Sequence, residues 1–506
     1  MIILDGKTLN LESLKQIARH HAQVAIDEAS RTLVDKASAF VAEAAQGKTP
    51  VYGINTGFGE LANVTIDNGN VGELQMNLLK SHACGVGAPL SQDIVRAMLA
   101  LRINALVKGY SGIRLDTLDK MVELLNKNVI PVVFEKGSLG ASGDLALLSH
   151  MSLPLVGLGE VWIDGVRMTT KEGFRQTGIK PLERLHAKEG LSLINGTQAM
   201  TAIGGLALAD AFDVLEAANL SAAMSLEALT GIIDAFHPVI HEVRNHQGQM
   251  EIAKVIRTHL EGSRLVTGQG EKRVQDAYSL RCIPQVHGAS LEAFQHVKAI
   301  IEREMNAVTD NPIILIDQQR AISAGNFHGQ PLALAFDYLG IALAELANIS
   351  ERRLERMVNP HLSNGLPPFL IKVCGLNSGF MIVQYAAASL VSENKVLAHP
   401  ASVDSIPSSA GQEDHVSMGS IAARKAGMIL ENTRQVVAME MMTAAQAIDF
   451  RDKDKLARQT AKAHKMIRQN IPFIASDEVM QPHLHKMDAL LADQAFIDAL
   501  LHADKE

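Results

Sequence analysis

Two long runs in the C-terminal half constrain the fold more than any other feature of the chain. SGFMIVQYAAASLVSENKVL (378–397) and SIAARKAGMILENTRQVVAMEMMTAAQAIDF (420–450) are apolar or small on most faces. A helix of that kind is stable only when other helices surround it. A third run carries Leu332, Phe336, Leu339, Leu343 and Leu346 at alternating spacings of four and three. That is the repeat of a helix face, and Asn359-Pro360 ends it. Helices of about 20–30 residues rise about 1.5 Å per residue and would pack into a bundle about 30–45 Å long. Residues 196–506 are therefore expected to form a mainly α domain built on a long central helical bundle. Residues 1–195, broken repeatedly by Gly and Pro, read as a smaller mixed domain. The chain has only 5 Tyr and 1 Trp, which also favours packed helices over sheets. Small residues on the long helices suit close packing between subunits.

Within the N-terminal part, TPVYGINTGFGEL (49–61) reads as a short strand followed by a Gly-rich loop. LSQDIVRAMLALRINALVKGYSG (90–112) reads as a helix capped by Ser91 and stopped near Gly109. RLDTLDKMVELLNKNVIP (114–131) reads as another, capped by Asp116 and ended before Pro131. GEVWIDGVRM (159–168) alternates around Asp164-Gly165 and predicts a hairpin.

Charge narrows the partners. The net charge is -8 and no Lys/Arg run occurs, so there is no footprint for nucleic acid or an anionic membrane. AMTAIGGLALADAFDVLEAANL (199–220) is interrupted by Asp210, Asp213 and Glu216 and reads as a buried helix rather than a membrane span. Cys84, Cys282 and Cys374 lie far apart without a CxxC, which suits a reducing compartment. The N-terminus, MIILDGKTLNLESL, lacks the basic-then-apolar layout of a signal peptide. A cytoplasmic protein handling small molecules is expected.

Several familiar motifs fail. GFGELA, GVGAPL and GLGEVW lack the third Gly of a dinucleotide fingerprint, and no GxxxxGK[ST] occurs. His237, His241 and His246 offer HExxxH rather than HExxH. Five residues turn a helix by about 500°, leaving the imidazoles of His241 and His246 about 140° apart, so one metal could not take both. GASGD is not the GxSxG elbow of a serine hydrolase, because Gly143 follows Ser142 directly.

GSLGASGDLALLSHM (137–151) is different. It places small residues ahead of Asp144 and an apolar helix. If the Gly143 nitrogen attacked the Ala141 carbonyl, a five-membered ring would close, and only small flanking residues permit so tight an approach. Loss of the Ser142 hydroxyl as water would leave a C=C conjugated to the ring carbonyl. That is an electrophile no ordinary side chain supplies, and the positive end of a helix starting at Asp144 would raise its electron demand.

Further segments carry a resemblance in which Ala-Ser-Gly has a definite place. YGINTGFGELA (52–62), LLKSHACGVGAPL (78–90), GSLGASGDLA (137–146), AKEGLSLINGTQA (187–199) and VQDAYSLRCIPQVHGA (274–289) are followed by NAVTDNP (306–312), GNFHGQP (325–331), LPPFL (366–370) and SENKVLAHPASVDSIPSSAGQEDHVSMG (392–419). In content and order they resemble the aromatic amino acid ammonia-lyase family, and most closely its histidine-specific branch. The resemblance implies a fumarase/aspartase-like helical fold and a 4-methylidene-imidazol-5-one group (MIO) made autocatalytically from Ala141, Ser142 and Gly143. No metal and no external cofactor are implied.

The same resemblance implies roles for individual residues. Tyr52 is the base for the β-proton, on a Gly-rich loop that acts as a lid. Asn195 and Gln275 hold the MIO carbonyl and the substrate, and Tyr278 assists proton transfer. Arg281 pairs with the substrate carboxylate, which its planar fork suits. Asn311 and Phe327 line the pocket. His82 and Glu413 are polar partners for an imidazole ring. The implied reaction is non-oxidative deamination of L-histidine to trans-urocanate and ammonia, by a homotetramer whose pockets are shared between subunits. A tyrosine or phenylalanine ammonia-lyase, an MIO-dependent 2,3-aminomutase and a non-catalytic scaffold are the alternatives. Leu147, Ala324 and Gly411 depart from the family's commoner Pro, Gly and Asn.

Overall fold

The structure, a computed structural model, describes residues 1–47 and 49–502. It comprises two compact units. One is Met1–Ala209 with Val297–Asp337 and Pro400–Arg424; the other is Asp210–His296 with Tyr338–His399 and Lys425–Glu506. This differs from the single break expected at residues 195/196. Residues 297–337 and 400–424 pack with the N-terminal part, because compactness follows shared core rather than the local texture of the chain.

The first unit is built around short helices: α1 (Val71–His82), α2 (Gln92–Leu106), α3 (Leu115–Asn126), α4 (Leu145–Ser152) and α5 (Glu189–Ile194). Helices α1, α4 and α5 pack on one another. Every residue of α2 from Val95 to Leu106 is buried, including Arg96, Arg102 and Asn104. Ser91 does precede α2, but its hydroxyl donates to the Asp93 carboxylate at 2.5 Å instead of accepting from the helix backbone. Arg114, not Asp116, holds the cap position of α3. Asp116 sits in the first turn, where its charge complements the helix dipole. The expected hairpin forms between Glu160–Ile163 and Val166–Thr169, antiparallel, with Asp164 and Gly165 both at positive φ. The strand expected near residue 51 is absent. The segment forms turns instead, with a one-turn helix at Gly59–Asn63 and a single bridge between Thr56 and Thr65.

The long helices are α6 (Gln198–Ala228), α7 (Ile283–Met305), α8 (Gln330–Val358), α9 (Met381–Leu397) and α10 (Gly419–Ile448). Leu332, Phe336, Leu339, Leu343 and Leu346 of α8 are all fully buried, as their spacing requires. Gly204 of α6 lies against the Phe336 ring so closely that a Cβ there would overlap it. In the second unit, the four longest helices converge on one buried polar cluster. Arg353 of α8 forks onto Glu440 of α10 (Nε to Oε1 2.6 Å, a terminal nitrogen to Oε2 2.8 Å). Ser225 of α6 and Ser350 of α8 donate to the same carboxylate, and His287 of α7 bridges Asn219 and Arg353. Burial, then the Arg353 charge, hold the His287 imidazole well below its usual range.

The expectation that both apolar C-terminal helices are enclosed holds for α10 but not for α9. Only Val383, Ala387 and Asn394 of α9 are buried, and Ile382, Tyr385 and Val396 are more than half exposed.

Candidate active site

The site begins with a strained turn. Gly140, Ser142 and Gly143 have φ of 90°, 49° and 84°. Ser142 carries a side chain in a left-handed conformation that costs about 1–2 kcal/mol. The Gly143 N–H donates to the Gly140 carbonyl at 3.3 Å, and the Asp144 N–H to Gly196 at 2.8 Å. A Cβ on Gly143 would overlap the Gly196 carbonyl, so only glycine fits. The Ser138 hydroxyl donates to the Gly143 carbonyl and accepts from the Gly140 N–H, both at 3.2 Å. Ala141 packs against Val416 and Met418.

Asp144 anchors the turn from behind. It is fully buried at the start of α4, and its carboxylate accepts from the Met200 N–H (2.8 Å) and the Ser420 hydroxyl (3.1 Å). Burial outweighs these bonds and pushes its carboxyl up to about 6.

Ser142 opens onto a cleft of about 500 Å³ walled by Phe58, Leu61, Leu78, Leu145, Leu191 and Ile194. Besides Ser142, six polar side chains line it: Tyr52, Asn77, Ser81, His82, Ser409 and Glu413. The Ser142 hydroxyl donates to Glu413 Oε1 at 3.2 Å. Ser81 and His82 Nδ1 are 3.0 Å apart. Burial lowers the His82 pKa against an opposing pull from Glu413, which favours the neutral ring. The Tyr52 hydroxyl accepts from the Gly59 N–H at 3.4 Å. Burial first, then the charges of Glu413 and Asp310, raise the Tyr52 phenol, and the Gly59 bond opposes them.

Behind this wall lies a second layer. Asn195 is buried after α5, donating from Nδ2 to the Asn311 carbonyl at 3.0 Å while its Oδ1 has no partner. Asn311 Oδ1 accepts from the Ala324 N–H at 2.7 Å. The neighbouring Asp310 is ion-paired with Lys188 at 2.6 Å, both side chains buried. Burial lowers the Lys188 pKa, and the facing Asp310 carboxylate opposes that. Arg102 donates to Gln198 Oε1 at 2.8 Å and to the Ser192 carbonyl, and burial lowers it to about 10.

Ala141, Ser142, Tyr52, His82 and Glu413 thus come together around one turn, with Gly143, Asn195 and Asn311 directly behind. Phe327 is half-buried in the first unit and does not line the cleft. Gln275, Tyr278 and Arg281 belong to the second unit. Gln275 is exposed, Tyr278 is 71% exposed, and the Arg281 guanidinium lies 4.8 Å from the Tyr278 ring centre. The buried histidine of the discarded metal motif, His241, bonds Gln249 at 2.9 Å.

A profile of the aromatic amino acid lyases matches residues 9–469. The chain belongs to the aromatic amino acid lyase family. Over 500 residues it is 53% identical to histidine ammonia-lyase of Geobacillus thermodenitrificans, covering 99% of both chains. Of solved structures, histidine ammonia-lyase from Trypanosoma cruzi superimposes with a TM-score of 0.91 at 41% identity, over 99% of this chain and 94% of that one. Tyrosine aminomutase from Streptomyces globisporus gives 0.95 at 36% identity, over 99% and 98%. This lyase shares the long-helix, fumarase-like architecture of its relatives.

The departures of this lyase from the commoner family residues have physical sense. Leu147 is fully buried inside α4. Ala324 serves through its backbone N–H to Asn311. Gly411 has φ of 91°, where glycine is unstrained and Asn is the next best tolerated residue. Sequence reasoning passed over Asp144 as an acceptor, the Lys188–Asp310 pair and Ser408, which bonds Glu413. Lys188 and Asp310 stand 122 residues apart, so local spacing carries no signal of their pairing.

Proposed function

We propose that this lyase deaminates L-histidine to trans-urocanate and ammonia. The observation that carries the reading is the meeting of Glu413 with Ser142 in a cleft that also holds His82 and Tyr52, in a chain similar along its whole length to histidine ammonia-lyases. The residues at 140–144 suit MIO formation. Gly143 has no Cβ, where one would overlap the Gly196 carbonyl, and Ser142 already has a turn conformation. Asn195 Oδ1, buried and without a partner, is a polar atom left over for such a group or its ligand. When formed, MIO supplies the electron sink that an unactivated amino acid lacks.

The chain's own residues do the rest. Tyr52 takes the β-proton as a phenolate, steadied by the Gly59 N–H. His82 and the Glu413 carboxylate are polar partners for the two imidazole nitrogens. An aromatic ring without nitrogens would leave them unpaired, at a cost of orders of magnitude in discrimination. The apolar side chains of Phe58, Leu78 and Leu191 line the reacting centre, where exclusion of water would strengthen polar interactions.

A homotetramer with shared pockets belongs to the same proposal. It is supported by apolar side chains that one chain leaves in water: Tyr338 and Ile341 on α8, Ile382 and Tyr385 on α9 and Met428 on α10. The test is ammonia release from a panel of L-histidine, L-tyrosine and L-phenylalanine, with Ser142→Ala as the inactive control. L-histidine is expected to be turned over fastest, and Glu413→Gln to lower its kcat/KM at least a hundredfold. Preference for L-tyrosine would overturn the assignment.

A further inference from the structure

We propose that the turn at residues 408–411 is a positioning device for Glu413, with Ser408 as its working residue. The inference rests on the reading of Glu413 as a substrate-facing carboxylate, and three observations carry it. First, Ser408 grips Glu413 with both backbone and side chain. Its N–H donates to the Glu413 carbonyl at 2.8 Å and its carbonyl accepts from the Glu413 N–H at 3.2 Å. Its hydroxyl donates to Oε2 at 3.1 Å, leaving Oε1 to Ser142. Second, the turn that holds Ser408 is strained. Ser409, Ala410 and Gly411 follow one another at φ of 50°, 53° and 91°. Two consecutive non-glycine residues in the left-handed region persist only where the surroundings over-determine them, and such strain concentrates at functional sites. Third, the turn abuts the residue that bonds the base. Gly59 lies so close to the Ser409 hydroxyl that a Cβ there would overlap it, and the Gly59 N–H is the donor to Tyr52.

A free carboxylate side chain has several rotamers, and only one aims Oε1 at the reacting turn. The Ser408 hydroxyl selects that one by holding Oε2. Ser408 is therefore a positioning residue acting through Glu413, and its effect must vanish when the carboxylate does.

The test is a double-mutant cycle of S408A and E413Q, read as kcat and KM on whichever of L-histidine, L-tyrosine and L-phenylalanine the wild type consumes fastest. S408A is expected to lower kcat/KM about tenfold in the wild-type background, the size of a lost hydrogen bond to a charged group. In the E413Q background it is expected to change kcat/KM less than twofold. S408T, which keeps the hydroxyl, should restore at least a third of wild-type kcat/KM, and the melting temperature of S408A should stay within a few degrees of wild type. If S408A proves unfolded, S408C keeps the shape with a weak donor and carries the same expectation. An equal loss in both backgrounds, no loss in either, or failure of S408T to restore activity overturns the proposal. Preference for a substrate other than L-histidine sinks the functional reading alone, because the cycle still measures the coupling.

Discussion

At the residue scale, the site works by setting small groups in conformations that larger ones could not take. Gly143 lies against the Gly196 carbonyl, where a Cβ would overlap it, and Ser142 sits at positive φ. The titrating groups are tuned in the same way. In the proposed reaction Tyr52 acts only when deprotonated, and burial together with the Glu413 and Asp310 charges raises its phenol. Activity is therefore absent below the phenol's pKa and gained as pH rises through it. Removing the Glu413 charge removes one of the raising effects, so the rising limb of residual kcat/KM in Glu413→Gln should lie at lower pH than in wild type. A full pH–rate profile of both enzymes checks this, and a limb that stays put or moves up would contradict the coupling.

At the element scale, helix period was legible in the sequence and helix caps were not. The spacing of Leu332 to Leu346 located α8 and its buried stripe, because one face of a helix repeats wherever the helix packs. Ser91 holds the cap position of α2 without its side-chain bond, and Asp116 lies inside α3, because a cap depends on backbone torsions and on what competes for the side chain. Asp93 took the Ser91 hydroxyl. The 49–61 segment likewise lost its expected strand to turns, since a strand needs a partner that local sequence does not supply. Close packing at one glycine gives a prediction here. Gly204→Ala would push a methyl group into the Phe336 ring, so overpacking should cost about 1–3 kcal/mol of stability in denaturant titration. An unchanged midpoint would show that α6 and α8 can part without penalty.

At the scale of the whole molecule, α9 exposes what its sequence says should be covered. Ile382, Tyr385 and Val396 remain in water in a single chain, and a surface groove of about 610 Å³ runs by Ile341, Ala344, Ala388 and Val391. A second copy of the chain is the proposed cover. Tyr385→Lys should shift the protein to a smaller species in sedimentation velocity and lower its activity together with its mass. A variant that keeps wild-type mass would place the interface elsewhere.

Read alone, the amino-acid order determined what depends on neighbours in the chain: the long helices, the hairpin at Asp164-Gly165, and a tripeptide whose own atoms can close a ring. Family resemblance named Tyr52, His82 and Glu413 but could not say how they meet. That was decided by packing between segments separated by up to hundreds of residues, which places the Glu413 carboxylate on the Ser142 hydroxyl, buries Lys188 against Asp310 and assigns Gln275, Tyr278 and Arg281 to the other unit. Local torsions are written in local composition, whereas a contact between distant residues is a property of the shared core and exists only once that core has formed.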